Sequence, residues 1–114
     1  MKNKEFKVLM HCFTGTKEFA DKLLNIGCYF SASGIVTFKK NYELSETFKS
    51  IPDDKILVET DSPYLSPEPL RGKINEPCNI IHTIKFISVL KNTTKDDVEN
   101  FTTNNFRKLF KINI

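Results

Sequence analysis

Short apolar runs alternate with one-sided apolar stripes along this chain, and the alternation repeats. Val8-Leu9-Met10 is a run; Phe19, Ala20, Leu23 and Leu24 then recur at helical spacing behind a Thr16 N-cap, and Gly27 ends the stripe. Tyr29 to Ser33 reads as the next strand, with Tyr29, Ser31 and Ser33 alternating against Phe30 and Ala32. Gly34 follows where the backbone must turn or approach something closely. Asn41 can cap a second helix carrying Leu44 and Phe48, with Ile51 extending its stripe before Pro52-Asp53-Asp54 turns the chain. Lys55-Ile56-Leu57-Val58 opens a third strand. The pattern predicts strands near 7–11, 29–33 and 55–60 with helices between them, an α/β fold on a parallel sheet.

The second half reads differently. Prolines stand at 63, 67, 69 and 77, so residues 62–78 form an irregular loop. Pro77 suits the first turn of a helix whose broad apolar face is Ile80, Ile81, Ile84, Ile87 and Leu90, with Glu76 beside its N-terminus. Thr94-Lys95-Asp96-Asp97 resembles a capping arrangement for a further helix through Val98 and Phe101. The reading expects Asn104 or Asn105 to interrupt that helix, leaving Phe106, Leu109 and Phe110 on a short last one.

Chemistry concentrates where apolar strands end. Val8-Leu9-Met10 runs directly into His11, and Ile56-Leu57-Val58 into Glu59-Thr60-Asp61. Strand alternation predicts Leu57, Glu59 and Asp61 on one face, so two carboxylates share a direction at a carboxyl end, where α/β folds build their sites. Asp61 is the leading candidate, as a metal ligand or as a cap of the turn before Ser62-Pro63. His11 is the second, as a ligand or as an ordinary partly buried histidine. Glu59 either orients a ligand from behind or pairs with an interior cation. Arg71 and Lys73 offer phosphate contacts or are solvated loop charges. Tyr64 is a wall of the site or core, and His82 reads as a surface or packing residue.

His11-Cys12-Phe13-Thr14-Gly15, Ser33-Gly34-Ile35-Val36-Thr37-Phe38 and Glu59-Thr60-Asp61-Ser62-Pro63-Tyr64-Leu65 occur in that order, then Arg71-Gly72-Lys73 with Asn75-Glu76-Pro77. Asn105 followed by Leu109-Phe110 closes the series. In order and spacing, from Val8 to Phe110, the chain resembles the TatD family of metal-dependent deoxyribonucleases; Thr14 departs mildly from the serine usual there. The resemblance implies the C-terminal part of a (β/α)8 TIM barrel, strands six to eight with their helices. It implies hydrolysis of DNA phosphodiester bonds with divalent ions (Mg, Mn or Zn). His11 and Asp61 become metal ligands, with Asp61 also orienting or deprotonating the attacking water. Arg71 and Lys73 become substrate contacts.

Length then limits the picture. A closed barrel takes about 250 residues, and 114 make one partial domain, residues 1–114, that does not close the barrel alone. The family's His-x-His pair, bridging glutamate and strand-five histidine have no counterpart here. The expectation is an incomplete metal site, a separately encoded N-terminal half as partner, and DNA as substrate. An inactive remnant of a split gene, or a non-catalytic module binding nucleic acid or protein, are the alternatives. Three cysteines without a CxxC pair suggest free thiols in a reducing cytoplasm. No apolar run approaches the roughly 20 residues of a membrane span, and a net charge of +3 decides nothing about nucleic acid by itself.

Overall fold

The computed structural model describes residues 7–111. Three strands, β1 (Leu9–Met10), β2 (Tyr29–Ala32) and β3 (Ile56–Val58), form one open parallel sheet in the order β1-β2-β3. Spatial order equals chain order, so each crossover moves one strand along without reversal, as in a barrel and in one half of a doubly wound sheet. All three strands are shorter than the sequence suggests at one or both ends, although pairing continues locally: Phe13 N–H donates to Ser31 O and Glu59 N–H to Ala32 O. Helices α1 (Lys17–Asn25) and α2 (Tyr42–Ser50) make the crossovers. Then α3 (Ile80–Leu90) and α4 (Lys95–Phe110) follow the irregular loop. No helix among the described residues is long and apolar enough to cross a membrane.

Local signals explain most element ends. Thr16 Oγ1 accepts from Phe19 N–H at 3.2 Å and Thr94 Oγ1 from Asp97 N–H at 3.1 Å, so both expected N-caps form. Gly27, at φ 83°, closes α1 as Gly27 N–H and Cys28 N–H bond back to Leu24 O and Leu23 O. Asn41 holds the N-cap position of α2 without a side-chain capping bond. Two 3-10 turns, Gly34–Thr37 and Lys39–Asn41, precede that helix where the sequence shows only a close approach or turn.

One expectation is overturned. Neither Asn104 nor Asn105 breaks the last helix; α4 runs unbroken from Lys95 to Phe110. The Asn105 side chain does not compete for its own helix backbone. Its Nδ2 instead donates to Asp53 O at 2.8 Å and Ile56 O at 2.7 Å, tying α4 to the start of β3.

The core lies between the sheet and its helices. Phe30 and Ile56 from the strands, Phe48 and Ile51 from α2 and the turn after it, and Ile87 and Val98 from α3 and α4 are all fully buried. Phe13 packs edge-on to Phe30, ring centroids 4.9 Å apart. A smaller cluster of Leu9, Tyr29, Leu57 and Leu109 occupies the other sheet face. Both faces of β2 are therefore buried, as parallel sheets require.

The loop after β3 is docked rather than loose. Glu68 N–H donates to Thr37 Oγ1 at 2.8 Å, while that hydroxyl donates to Gly34 O at 2.7 Å. A Cβ on Gly34 would run into Leu65 O and come within 2.8 Å of Pro67 N, so glycine here permits backbone-to-backbone contact.

Candidate metal centre

Two breaks in extended backbone create the site. Cys12 adopts a left-handed conformation, φ 48°, ending β1 just past His11, whose side chain is 65% exposed. Asp61 does the same at φ 56°, three residues past the end of β3. Strand alternation therefore does not bring Asp61 to Glu59; the turn at 60–64 does. Aspartate tolerates this conformation better than most residues.

His11, Glu59 and Asp61 each offer one ligand atom, and the three atoms lie within 4.8 Å of one another. Glu59 is fixed from one side, since its Oε2 accepts from Cys12 N–H at 2.9 Å. Its other oxygen, Oε1, lies 2.8 Å from His11 Nε2 but is buried without a hydrogen-bond partner. The separation is that of an ion pair; the alignment is not that of a hydrogen bond. With a neutral imidazole presenting its lone pair, two electron donors would face each other. A proton on Nε2 or a cation between them resolves that conflict. One nitrogen and two carboxylates form a donor set that suits zinc-like or manganese-like ions, and three protein ligands is the count usual for catalytic zinc. The residues present fit a divalent cation.

The Cys12 thiol beside the cluster is a poor donor. Burial pushes the Cys12 thiol up; a hydrogen bond with Ser33 (Sγ to Oγ 3.3 Å) opposes that, and the Glu59 and Asp61 charges add to it. Cys12 thus stays a neutral thiol near pH 7, and its contribution is the backbone N–H that anchors Glu59.

His11 and Asp61, expected as ligands, come together, and Glu59, expected to orient a ligand from behind or to pair with an interior cation, stands with them in the same cluster of candidate donor atoms. Arg71 and Lys73 are exposed and, among the described residues, pair with neither carboxylate. The Arg71 guanidinium lies over the Phe38 ring, 4.1 Å from its centroid. Tyr64 is 70% exposed, so it is not core. A cleft of about 690 Å³ lies between Thr14–Lys17 and Lys40–Thr47 and includes neither Glu59 nor Asp61. The donor geometry locates the site better than that cleft does.

Asn75, from the Asn75-Glu76-Pro77 segment, bears on this turn as well. It is 3% exposed, and its Nδ2 donates to Thr60 O at 2.7 Å and Tyr64 O at 2.8 Å, across the turn that presents Asp61. Nothing in the local sequence signals this, because the partners lie eleven and fifteen residues away.

Comparison with known proteins agrees with this geometry. The sequence model of the family described as TatD related DNase matches residues 1–111. The chain is 47% identical over 106 residues to a metal-dependent hydrolase, BU355, of Buchnera aphidicola, covering 93% of this chain and 40% of that protein. It is 45% identical over 104 residues to the metal-dependent hydrolase YcfH of Escherichia coli, covering 91% and 39%. The chain thus spans about 40% of the length of the curated relatives it matches. Its fold superposes on a TatD family hydrolase from Entamoeba histolytica with TM-score 0.80 at 26% identity, covering 90% of this chain and 42% of that one. On the TatD homolog YjjV of Escherichia coli the TM-score is 0.84 at 21% identity, covering 92% and 40%. A family match over almost its whole length, with a converging His–Glu–Asp corner on an open parallel sheet, carries one conclusion: the chain belongs to the TatD-related DNase family.

Proposed function

We propose that this chain is the C-terminal part of a metal-dependent deoxyribonuclease, contributing strands six to eight of a (β/α)8 barrel whose other strands come from further polypeptide. The supporting observation is the orphaned Glu59 Oε1 beside His11 Nε2, with Asp61 in the same cluster. His11, Asp61 and Glu59 would hold the cation, of Mg, Mn or Zn type. When bound, such an ion lowers the pKa of water and neutralises phosphate charge. Asp61, on its left-handed turn, orients the attacking water and receives its proton. Cys12 N–H keeps the Glu59 carboxylate in place.

DNA is the proposed substrate. Arg71 lies over the Phe38 ring and is exposed, so its guanidinium N–H groups are open to phosphate oxygens, and Lys73 stands nearby in the chain as a second exposed cation. Cys12, Cys28 and Cys78 are all free thiols, which fits action in a reducing cytoplasm. The test combines this chain with the N-terminal portion of a full-length relative such as YcfH and follows DNA hydrolysis with added Mg²⁺ or Mn²⁺. A stable complex with cation-dependent hydrolysis is expected. Asp61→Asn should lower the rate about 10²-fold or more, the scale of losing a positioned proton acceptor. Failure of the two parts to associate, or equal activity in the variant, overturns the reading.

A further inference from the structure

We infer that Asn75 is a positioning residue for Asp61, acting through the main chain of the turn at 60–64. The inference rests on the reading of Asp61 as a cation ligand. Its own support is the saturation of Asn75. Both Nδ2 hydrogens are used, on Thr60 O and Tyr64 O, and Oδ1 accepts from Glu76 N–H at 2.9 Å and Asn79 Nδ2 at 3.2 Å. Its backbone N–H donates to Pro63 O at 3.0 Å. Four side-chain bonds are the full capacity of an asparagine, and this one is almost wholly buried.

Three carbonyls on the two sides of Asp61 (Thr60, Pro63 and Tyr64) converge on one residue. Asp61 itself closes the turn from inside, its carbonyl accepting from Tyr64 N–H at 3.0 Å. Aspartate tolerates φ 56° better than most residues but does not select it unaided, so the turn needs ties from its surroundings. Asn75 supplies that constraint and so fixes where the Asp61 carboxylate stands relative to Glu59 and His11.

Asn105 provides an internal control. It too is buried and donates both Nδ2 hydrogens to main-chain carbonyls, Asp53 O and Ile56 O, but at the opposite end of β3. A purely structural asparagine should behave like Asn105.

The experiment uses NMR on the 114-residue chain and its Asn75→Ala, Asn75→Asp and Asn105→Ala variants. In the unmodified chain both Asn75 side-chain amide protons should be protected from exchange; free exchange overturns the inference without any variant. In Asn75→Ala and Asn75→Asp, the HN–Hα coupling and Cα shift of Asp61 should leave their positive-φ values. The Mn²⁺ concentration that broadens the Asp61 and His11 signals should rise ~10-fold or more, the usual cost of losing a partner that orients a ligand. Asn105→Ala should lower thermal stability and leave both readouts unchanged. If the Asn75 variants lose stability but keep the Asp61 conformation and Mn²⁺ response, the residue is structural and the inference fails. If Mn²⁺ broadens neither signal in the unmodified chain, the cation reading of the site fails, while the Asp61 conformation still decides the role of Asn75.

Discussion

Lys91 shows how a single charged residue can serve the interior. Its side chain is 9% exposed, and Nζ reaches Lys49 O at 3.0 Å, Ile51 O, and Asp53 Oδ1 at 3.4 Å. It therefore caps the C-terminal end of α2, where exposed carbonyls favour a cation. Burial lowers its pKa, and the Asp53 charge and hydrogen bond pull it partly back up. The folded state consequently binds this proton less tightly than the unfolded chain. As pH climbs from the lowered Lys91 value toward the ordinary lysine range, the unfolded chain holds more protons and stability gains from this group. The Cys28 thiol acts oppositely. Burial raises its pKa, with Lys55 partly opposing, so its contribution falls once pH passes the ordinary thiol value. Urea denaturation across the alkaline range should show the wild-type advantage over Lys91→Met growing with pH. A constant or shrinking difference would contradict the assignment.

At the scale of elements, the loop after β3 and the turn after β2 behave as one piece, and Gly34 is where they touch. Gly34→Ala should cost ~1–3 kcal/mol, the range of overpacking a tight contact, because the obstructing atoms are main chain and cannot rotate aside. Chemical denaturation of the variant reads this directly; an unchanged midpoint would show that the loop can lift off. The sequence made a turn or a close approach at Gly34 legible, but not the partner, because Leu65 and Pro67 lie more than thirty residues away. The same division holds elsewhere. Thr16, Gly27 and Thr94 announce helix ends through local chemistry, and the structure follows them. Asn105 misled because asparagine inside a helix is locally a breaker, and only its distant carbonyl partners turn it into a tie. His11 and Asp61 were legible as strand-end polar residues. The approach of the Glu59 carboxylate to both was not, since the left-handed backbone at Cys12 and Asp61 sets that geometry and nothing in strand periodicity encodes it.

On the scale of the whole molecule, the sheet is open and the candidate cation site is exposed on one side. His11 is 65% exposed, and among the described residues no partner holds its Nδ1 to fix the ring. Ligand histidines ordinarily have such a partner, and losing one commonly weakens binding ~10–100-fold. Calorimetric titration of this chain alone with Mn²⁺ or Zn²⁺ should therefore show weak, unsaturated binding, strengthening when the N-terminal portion of a relative is added. Tight stoichiometric binding to the chain alone would mean that the three donors suffice and that the corner is complete as it stands.

The two buried asparagines at opposite ends of β3 also set an order in time. A chain emerges from the ribosome N-terminus first. Once residue 75 is out, His11, Glu59, Asp61 and the tie across the Asp61 turn have all been synthesised. The tie at the start of β3 waits for Asn105, which reaches back 52 residues to Asp53. A nascent chain halted between these points carries the whole acidic corner on a strand still unfastened at its beginning. C-terminal truncation past Asn105 should therefore loosen the start of β3 while leaving His11, Glu59 and Asp61 in the chain.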